Sequence, residues 1–260
     1  QKSASEMADA PDTTFEILAT KFFEGREKSY ALRELLRKWD LDTLPIGFRF
    51  RPPNELPPNV FLLQFLNDPK VQDVFKVATS SGGHACLGKV KSFGKRDIST
   101  TVTSLAFFDR LEESGIVREN GNISKRMDEV VSGFTVSDML REAFLIKESE
   151  NYDLFSKADK NELLFRILFH IVLGGGLCQY EDGIKPYLDT AKDIYKDLAT
   201  VQKNKSTGAV EVTTSVYEIL NVDASVPLFP RDSIQNFCYI FVDTAKQLVT
   251  VWYHAFRPYW

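Results

Sequence analysis

The sequence predicts an α+β protein in which a helical N-terminal and central part packs against a C-terminal antiparallel β-sheet. Apolar residues recur every three or four positions through most of the first 200 residues. The repeat then changes to every second residue over 209–220, 237–243 and 247–256, which is typical of strands. Hydrophobic residues make up 43% of the 260 positions, enough for the core of one domain, which we predict over 15–260.

The N-terminal helical segments are separated by polar and proline-rich stretches. Residues 1–14 are small, polar and aperiodic, which predicts a disordered arm. Helical spacing follows over 30–39, and four prolines within 51–59 then predict a surface loop. A second helical run over 60–77 is interrupted at Pro69, where we expect Asp68 to end one helix and begin the next.

The central segments predict two short helices. Residues 103–117 have helical spacing up to Gly115, and a turn or small hairpin is expected over 116–124. A short amphipathic helix is predicted over 135–146.

A long core helix is predicted to end at the glycines beginning with Gly174. Ser156 and Asp159 resemble a capping box ahead of it. The segment is apolar nearly all round, so we expect it at the centre of the core. Its one polar stripe comprises Glu162, Arg166 and His170.

The next helix is predicted to be amphipathic and to begin near Pro186, a residue suited to a first helical turn. Asp189, Asp193 and Asp197 recur at every fourth position on its outer side. Its apolar face is predicted to comprise Tyr187, Leu188, Ala191, Ile194, Tyr195, Leu198 and Val201. A long loop over 221–235 is then expected between the first two strands of the C-terminal sheet.

The charge and cysteine content argue against several classes of partner. The formal net charge is -4, so we expect no nucleic-acid partner, and the basic cluster Lys89, Lys91, Lys95 and Arg96 is interpreted as a solvated loop. Three widely spaced cysteines do not form a disulfide framework and favour a reducing compartment. No membrane partner is expected, because Arg166 and His170 interrupt the most apolar helix.

Residues Gly83 to Lys89 nearly fit a phosphate-binding loop. Val90 stands where a Ser or Thr hydroxyl would bind magnesium, and the following segment does not have the pattern of a helix. The simpler interpretation is a short strand over 85–90 between glycine-containing turns. A nucleotide-dependent switch stays open as an alternative function.

The stretch from Gly174 to Asp182 concentrates reactive groups after three glycines. Glycines at a helix end allow positive φ and close approach, so we interpret the stretch as a bend between helices. Cys178 would need a contacting base to act as a nucleophile, and the nearby His170 belongs to the preceding helix. A cysteine enzyme is the second open alternative. Glu181 and Asp182 are expected to favour the N-terminus of the next helix.

A metal site would require distant residues to converge. His84, Cys86, Cys178, Cys238 and His254 are the candidate ligands, and their spacing matches no metal-binding motif. We therefore expect no metal and no cofactor, with a zinc-stabilised scaffold as a third option.

Several stretches resemble the cilia- and flagella-associated protein 300 family. The strongest are "LGGGLCQYED" at 173–182, "KPYLDTAKDIYKDL" at 185–198 and the pair Lys203 and Asn204. Residues 152–170 are also similar, and 107–123 and 241–254 resemble the family more weakly. The similarity covers about 15–254, with the proline-rich stretch 51–60 and the N-terminal arm departing from the pattern.

The resemblance implies a protein of motile cilia and flagella that assembles or delivers the outer and inner dynein arms. It implies a location in the cytoplasm and in the cilium and no enzymatic activity. The implied partners are dynein arm assembly factors, axonemal dynein subunits or intraflagellar transport components.

The bend and the following helix are the predicted partner-binding surface. A charged stripe of both signs beside a tyrosine is suited to orient a protein partner. The predicted residues are Gln179, Tyr180, Glu181, Asp182, Asp189, Lys192, Asp193, Lys196 and Asp197.

Overall fold

The computed structural model describes residues 13–18, 27–41, 44–51, 56–203, 208 and 210–257. Positions 1–12 of the disordered arm predicted over 1–14 lie outside the described residues. Thr14 belongs to a strand. Asn204 of the signature pair also lies outside them.

Helices and strands follow one another along the whole described chain. In order they are β1 (Thr14–Ile17), α1 (Glu27–Lys38), β2 (Ile46–Arg51), α2 (Pro58–Asn67), α3 (Pro69–Val74), β3 (Val77–Ala78), β4 (His84–Ala85), β5 (Ser92–Ile98), α4 (Arg110–Glu113), β6 (Lys125–Val131), β7 (Phe134–Asp138), α5 (Met139–Leu145), α6 (Leu163–Leu173), α7 (Lys185–Leu198), β8 (Val201–Lys203), β9 (Val210–Val212), β10 (Ser215–Asp223), β11 (Phe237–Asp243) and β12 (Leu248–His254). Short 3-10 turns cover Leu105–Phe108, Tyr152–Leu154 and Asp159–Asn161.

The main sheet has six antiparallel strands in the order β1-β2-β12-β11-β10-β5. The predicted α+β class is confirmed. The predicted C-terminal strands form the centre of the sheet, but β1, β2 and β5 come from the first 100 residues. The expectation of a mainly helical first part was therefore wrong in this respect.

The central strand β11 is buried along its whole length because helices cover both faces of the sheet. Successive side chains of a strand point to opposite faces. One set packs with α5, α6 and α7, and comprises Phe237, Tyr239 and Phe241. The other set packs with α2 and α3, and comprises Cys238, Ile240 and Val242. Each fully buried large apolar side chain contributes about 1.5–3 kcal/mol relative to exposure.

Helix α6 confirms the predicted core helix, because nine of its eleven residues are buried. The Arg166 Nε donates to the Tyr239 hydroxyl at 2.9 Å, and His170 Nε2 lies 2.7 Å from the same oxygen. Two members of the polar stripe therefore bind the sheet. Glu162 instead precedes the helix, and its carboxylate accepts hydrogen bonds from Ser99 and Thr101.

The opposite layer is built from aromatic rings around α2. The chain has 20 phenylalanines, and five of them pack here edge-on or tilted. They are Phe15, Phe48, Phe50, Phe61 and Phe65. As predicted, α2 ends before Asp68, whose carboxylate caps α3 by accepting from the Lys70 and Val71 N–H groups.

The prediction of a loop over the proline-rich stretch 51–59 was wrong at its two ends. Residues 52–55 lie outside the described residues. Arg51 ends β2, and Pro58 opens α2, where the missing proline N–H costs nothing because first-turn N–H groups have no helical partner.

The central helices begin later than predicted. Over 103–117 the chain forms a 3-10 turn and the single turn α4, followed by the expected turn closed between Val117 and Ile123. The segment 135–146 starts as β7 and becomes α5 only after Asp138, whose side chain accepts from the Arg141 N–H.

The capping box is present but lies one turn ahead of α6. The Asp159 N–H donates to Ser156 Oγ at 3.1 Å, and the Ser156 N–H donates to Asp159 Oδ2 at 3.0 Å. These bonds cap the 3-10 turn at Asp159–Asn161, and α6 follows it.

Three strand boundaries differ from the predictions. The basic cluster contributes to edge strand β5, where Lys95 pairs with Asp97 and Arg96 with Glu218. The segment 209–220 divides into β9 and β10, and β10 continues into the predicted loop. Val201 lies in β8 and is 51% exposed, so it does not belong to the apolar face of α7.

None of the described helices combines the length and the apolar character needed to cross a bilayer.

Candidate functional site

The bend begins at Gly174, directly after α6. Its φ of +62° lies in a region that side chains disfavour, and its N–H donates to the His170 carbonyl. A Cβ on Gly174 would lie 2.6 Å from the Trp39 carbonyl oxygen, and one on Gly175 would lie 2.6 Å from Asp40 Oδ2. The first two glycines are therefore required by the close approach of the chain that follows α1.

Backbone hydrogen bonds join the bend to that chain. The Gly175 N–H donates to the Trp39 carbonyl at 2.8 Å, and the Gln179 N–H donates to the Lys38 carbonyl at 2.9 Å. From the other side, Gln235 Nε2 donates to the carbonyls of Gly174 and Gly175 at 2.7 and 2.9 Å. The buried polar groups of the bend are thus satisfied inside the protein.

A fully buried arginine lies beneath the bend. Arg141 pairs with Asp138 and donates to the Val172 carbonyl at 2.6 Å and to the Tyr187 hydroxyl at 3.1 Å. The Tyr180 ring covers the guanidinium with its centroid 3.5 Å away. A buried charge requires such partners, so Arg141 fixes Tyr180 and the bend relative to α5.

The two carboxylates of the bend bind other elements and do not cap α7, whose first turn has no side-chain cap. Glu181 Oε1 lies 2.6 Å from Lys38 Nζ and accepts from Trp39 Nε1 at 3.2 Å. Asp182 Oδ1 lies 2.7 Å from Lys125 Nζ. The prediction that Glu181 and Asp182 serve the next helix was therefore wrong. They join the bend to α1 and β6.

Cys178 lies in surroundings that keep its sulfur protonated. Burial raises the pKa of this thiol to about 12. Among the described residues no imidazole hydrogen-bonds to it, and His170 contacts the Tyr239 hydroxyl on the sheet. A thiol with this pKa is a poor nucleophile at neutral pH.

The near-fit to a phosphate loop has the wrong structural context. After Gly88 the chain enters strand β5. A phosphate-binding loop leads instead into the N-terminus of a helix. Val90 is buried against the α2 layer. The predicted strand over 85–90 is limited to β4, His84–Ala85.

The candidate metal ligands do not assemble. Cys238 packs on the α2 side of the sheet, whereas His254 stacks on Phe237, which faces the α6 side. Within the described residues no group of three His, Cys, Asp or Glu side chains could hold a metal ion.

The predicted partner-binding residues lie in two adjoining regions. Most are exposed, and Glu181 and Asp193 are half-buried. Gln179, Tyr180, Glu181 and Asp182 form the bend. Asp189, Lys192, Asp193, Lys196 and Asp197 lie on α7, where Lys185 Nζ pairs with Asp189 at 2.6 Å.

The structure adds residues of α1 to this surface. A groove of about 640 Å³ runs between α1 and α7, with Asp189, Lys192, Asp193 and Lys196 along one side. Ala31, Leu32 and Leu35 form its apolar part. Helical spacing in α1 indicated an apolar face, but no pattern in the sequence indicated that α7 would be its neighbour.

Comparison with known proteins gives a match over nearly the whole fold. The sequence model of the family described as "Cilia- and flagella-associated protein 300" matches residues 12–254. A Chlamydomonas reinhardtii protein of that name is 39% identical over 238 residues, covering 88% of this chain and 93% of the relative. A Paramecium tetraurelia protein of that name is 30% identical over 233 residues, covering 87% and 88%. No solved structure matches at a significant level.

Proposed function

Because this chain belongs to the cilia- and flagella-associated protein 300 family, we propose that it is a non-enzymatic adaptor or assembly factor for the outer and inner dynein arms. A role associated with cilia and flagella follows from family membership. The dynein-arm role, the intraflagellar transport and cytoskeletal connections and an additional cytoplasmic location belong to the proposal. They are what the family resemblance implies.

The observation that carries the proposal is the family match over 12–254, which includes both the bend and the sheet. The family name describes an association with cilia and flagella. Consistent with a non-enzymatic role, the polar groups of the bend are used internally. Arg141 is fully buried, Glu181 binds Lys38 and Trp39, and burial raises the pKa of the Cys178 thiol.

The proposed partner surface is the bend together with the outer side of α7. Its exposed carboxylates and lysines lie beside the apolar groove between α1 and α7. An apolar centre with a charged rim is typical of protein interfaces. The proposed partners are dynein arm assembly factors, axonemal dynein subunits or intraflagellar transport components.

The decisive experiment is rescue of a ciliated cell that lacks its own family member. We expect this chain to restore both rows of dynein arms, counted in axoneme cross-sections by electron microscopy. Changing Asp189, Asp193 and Asp197 to Lys is expected to prevent rescue. The matched control makes the same charge change on other elements, at exposed Asp73, Glu112 and Glu148.

Three outcomes would count against parts of the proposal. Axonemes that still lack dynein arms, despite normal amounts of this chain, would remove the assembly role. Calorimetry that shows micromolar binding of ATP or GTP with magnesium would favour a nucleotide switch. Equal rescue by the α7 variant and its control would move the partner surface away from α7.

A further inference from the structure

Two exposed arginines lie beside the tip of the β3–β4 hairpin. Arg257, which follows β12, donates to the Gly82 carbonyl at 3.4 Å, and its Nη2 lies 2.6 Å from His84 Nε2. Arg231, from the chain between β10 and β11, lines the same cavity of about 530 Å³ as the hairpin tip. Three separate segments of the chain therefore meet at this cavity.

The two arginines have no anionic partner in the described part of the chain. Arg257 donates to a carbonyl and to an imidazole nitrogen, and the Arg231 guanidinium lies 5.9 Å from the centre of the Phe256 ring. No Asp or Glu is among the residues that line the cavity, and Asp232, next to Arg231 in the chain, lies outside it. A guanidinium hydrogen-bonds more strongly to an anion than to a neutral acceptor, so an anion here would be stabilised.

The hairpin tip supplies hydroxyl groups to the same cavity. Thr79, Ser80 and Ser81 all line it, and the two serines are exposed. The Ser81 hydroxyl lies 2.9 Å from Thr79 Oγ1. Ser81 directly precedes Gly82, whose carbonyl accepts from Arg257. An exposed serine is thus one residue away from the contact that holds the guanidinium.

The hairpin is short enough to open locally. Strands β3 and β4 share only two residue pairs, Val77 with Ala85 and Ala78 with His84. Segments with few hydrogen bonds and exposed polar tips open at low cost in free energy. The tip can therefore extend into the active site of a modifying enzyme and close again afterwards.

We propose that Ser81 is a phosphorylation site and that its phosphate binds Arg231 and Arg257. A protein kinase would transfer the γ-phosphoryl group of ATP to Ser81 Oγ. The bond between the γ-phosphorus and the bridging oxygen of ADP breaks, the new P–O bond forms, and the hydroxyl proton passes to the kinase's general base. Two guanidinium charges balance one phosphate dianion. This modification goes beyond the adaptor function proposed above and does not depend on it.

Covalent attachment is what makes two exposed arginines sufficient. A free anion would lose translational freedom on binding and would compete with water at an open surface. A phosphate carried by Ser81 is already beside the guanidinium groups, at an effective concentration on the order of millimolar or higher. The expected result is an ordered tip that is joined to the segments before β11 and after β12.

The first test is whether the modification exists. The chain is recovered from ciliated cells in the presence of phosphatase inhibitors and cut with trypsin, which releases residues 77–89 as one peptide. Mass spectrometry is expected to locate a phosphate on Ser81, and the signal should be lost after phosphatase treatment and in Ser81→Ala. Detection of this peptide without any phosphate would overturn the proposal, as would phosphate confined to Thr79 or Ser80.

The second test is whether the phosphate binds the arginines. Purified full chain with phosphoserine encoded at position 81 is compared with the unmodified chain by amide hydrogen exchange over 77–85. Exchange is expected to slow at least about tenfold, because charge-assisted hydrogen bonds order the tip. Phosphoserine encoded at exposed Ser132, in the β6–β7 turn, is the control and should leave exchange over 77–85 unchanged.

Paired variants assign the effect to the two arginines. Changing both Arg231 and Arg257 to Gln is expected to abolish the slowing caused by phosphoserine 81, and this phosphorylated variant also corrects for the direct effect of phosphate on exchange. Changing exposed Arg49 and Arg51 of β2 to Gln is the matched control and should retain the slowing. Each variant is compared with its own unphosphorylated form, so any effect of the substitution on the hairpin cancels.

Three results of the second test would overturn the proposal. They are unchanged exchange with phosphoserine 81, equal slowing in the variant that lacks both arginines, and equal slowing of the unmodified chain by millimolar inorganic phosphate. The last result would show a site for a free anion that needs no covalent attachment.

Discussion

The indole of Trp39 stacks on the phenol of Tyr187, with ring centroids 4.7 Å apart and an angle of 25° between the planes. This contact joins the chain that follows α1 to the first turn of α7. The Tyr187 hydroxyl also accepts from the Glu181 N–H at 2.9 Å and from Arg141 at 3.1 Å. One aromatic pair thus holds both sides of the triple-glycine bend.

Replacing Trp39 with Ala is expected to destabilise the fold by about 3–5 kcal/mol, since Trp39 is fully buried and the change leaves a cavity. The free energy of unfolding in urea measures the effect. Tyr30→Ala on the preceding helix α1 is the control, because Tyr30 is 69% exposed and its removal should cost less than about 0.5 kcal/mol. Similar losses in both variants would show that Trp39 does not fix the bend.

Gly175→Ala is expected to destabilise the fold by about 1–3 kcal/mol or more, because its Cβ would overlap the Asp40 backbone. Gly83→Ala is the matched control. There the Cβ would lie 3.5 Å from Thr79 Oγ1, an ordinary contact, so the change should be neutral or stabilise by up to about 1 kcal/mol. Thermal unfolding of the two variants decides the prediction, which fails if Gly175→Ala melts with the unmodified chain.

The stability of the fold is expected to fall as pH drops below about 6.5, because two buried histidines resist protonation. Burial lowers the pKa of His254 to about 4, with Asp40 opposing and nearby Arg257 reinforcing the shift. Burial also holds the pKa of His170 well below its usual value.

Between pH 6.5 and 4 the unfolded chain binds a proton at His254 that the folded chain does not, so unfolding becomes easier as pH falls. His254→Gln removes this contribution. As pH decreases from 6 to 4.5, the unfolding free energy of this variant should decrease less steeply than that of the unmodified chain. The difference in slope should be up to about 1.4 kcal/mol per pH unit. Above pH 7 the two chains should have the same slope. Equal slopes below pH 6 would contradict a neutral buried His254.

Iodoacetamide at pH 8 is expected to modify Cys86 well before Cys178 or Cys238 in the folded protein. Cys86 is exposed, whereas burial raises the pKa of Cys178 to about 12 and that of Cys238 further still. Peptide mass spectrometry after timed quenching gives the three rates, and urea-unfolded protein shows that all three thiols can react. Preferential modification of Cys178 would revive the cysteine-enzyme alternative.

Sequence periodicity was a reliable guide to the long helices. The core position of α6, the apolar face of α7 up to Leu198 and the change of helix at Asp68 all followed from local patterns. The three N-terminal strands of the sheet, β1, β2 and β5, were missed. Strand β5 is mostly polar, and backbone hydrogen bonds to β10 hold it in the sheet. A polar edge strand has little apolar alternation that a sequence pattern could detect.

The bend was predicted from its glycines, but the groups that fix it were not. Trp39 and Arg141 come from distant segments, and an arginine in a short amphipathic helix is ordinarily solvated. The carboxylates of Glu181 and Asp182 were assigned to the nearest helix terminus because local capping is the simplest role for them. The fold brings Lys38 and Lys125 close enough to bind them instead.

The strand order also determines when the fold can form during synthesis. The last strand, β12, inserts between β2 and β11, so the ribosome must finish Leu248–His254 before the two halves of the sheet can join. Until then β2 presents an open edge, and the apolar cluster around α2 lacks Val249 and Val251, which leaves apolar surface of the nascent chain exposed. A stop codon between Asp243 and Leu248 would delete an interior strand and separate β1 and β2 from β11, β10 and β5.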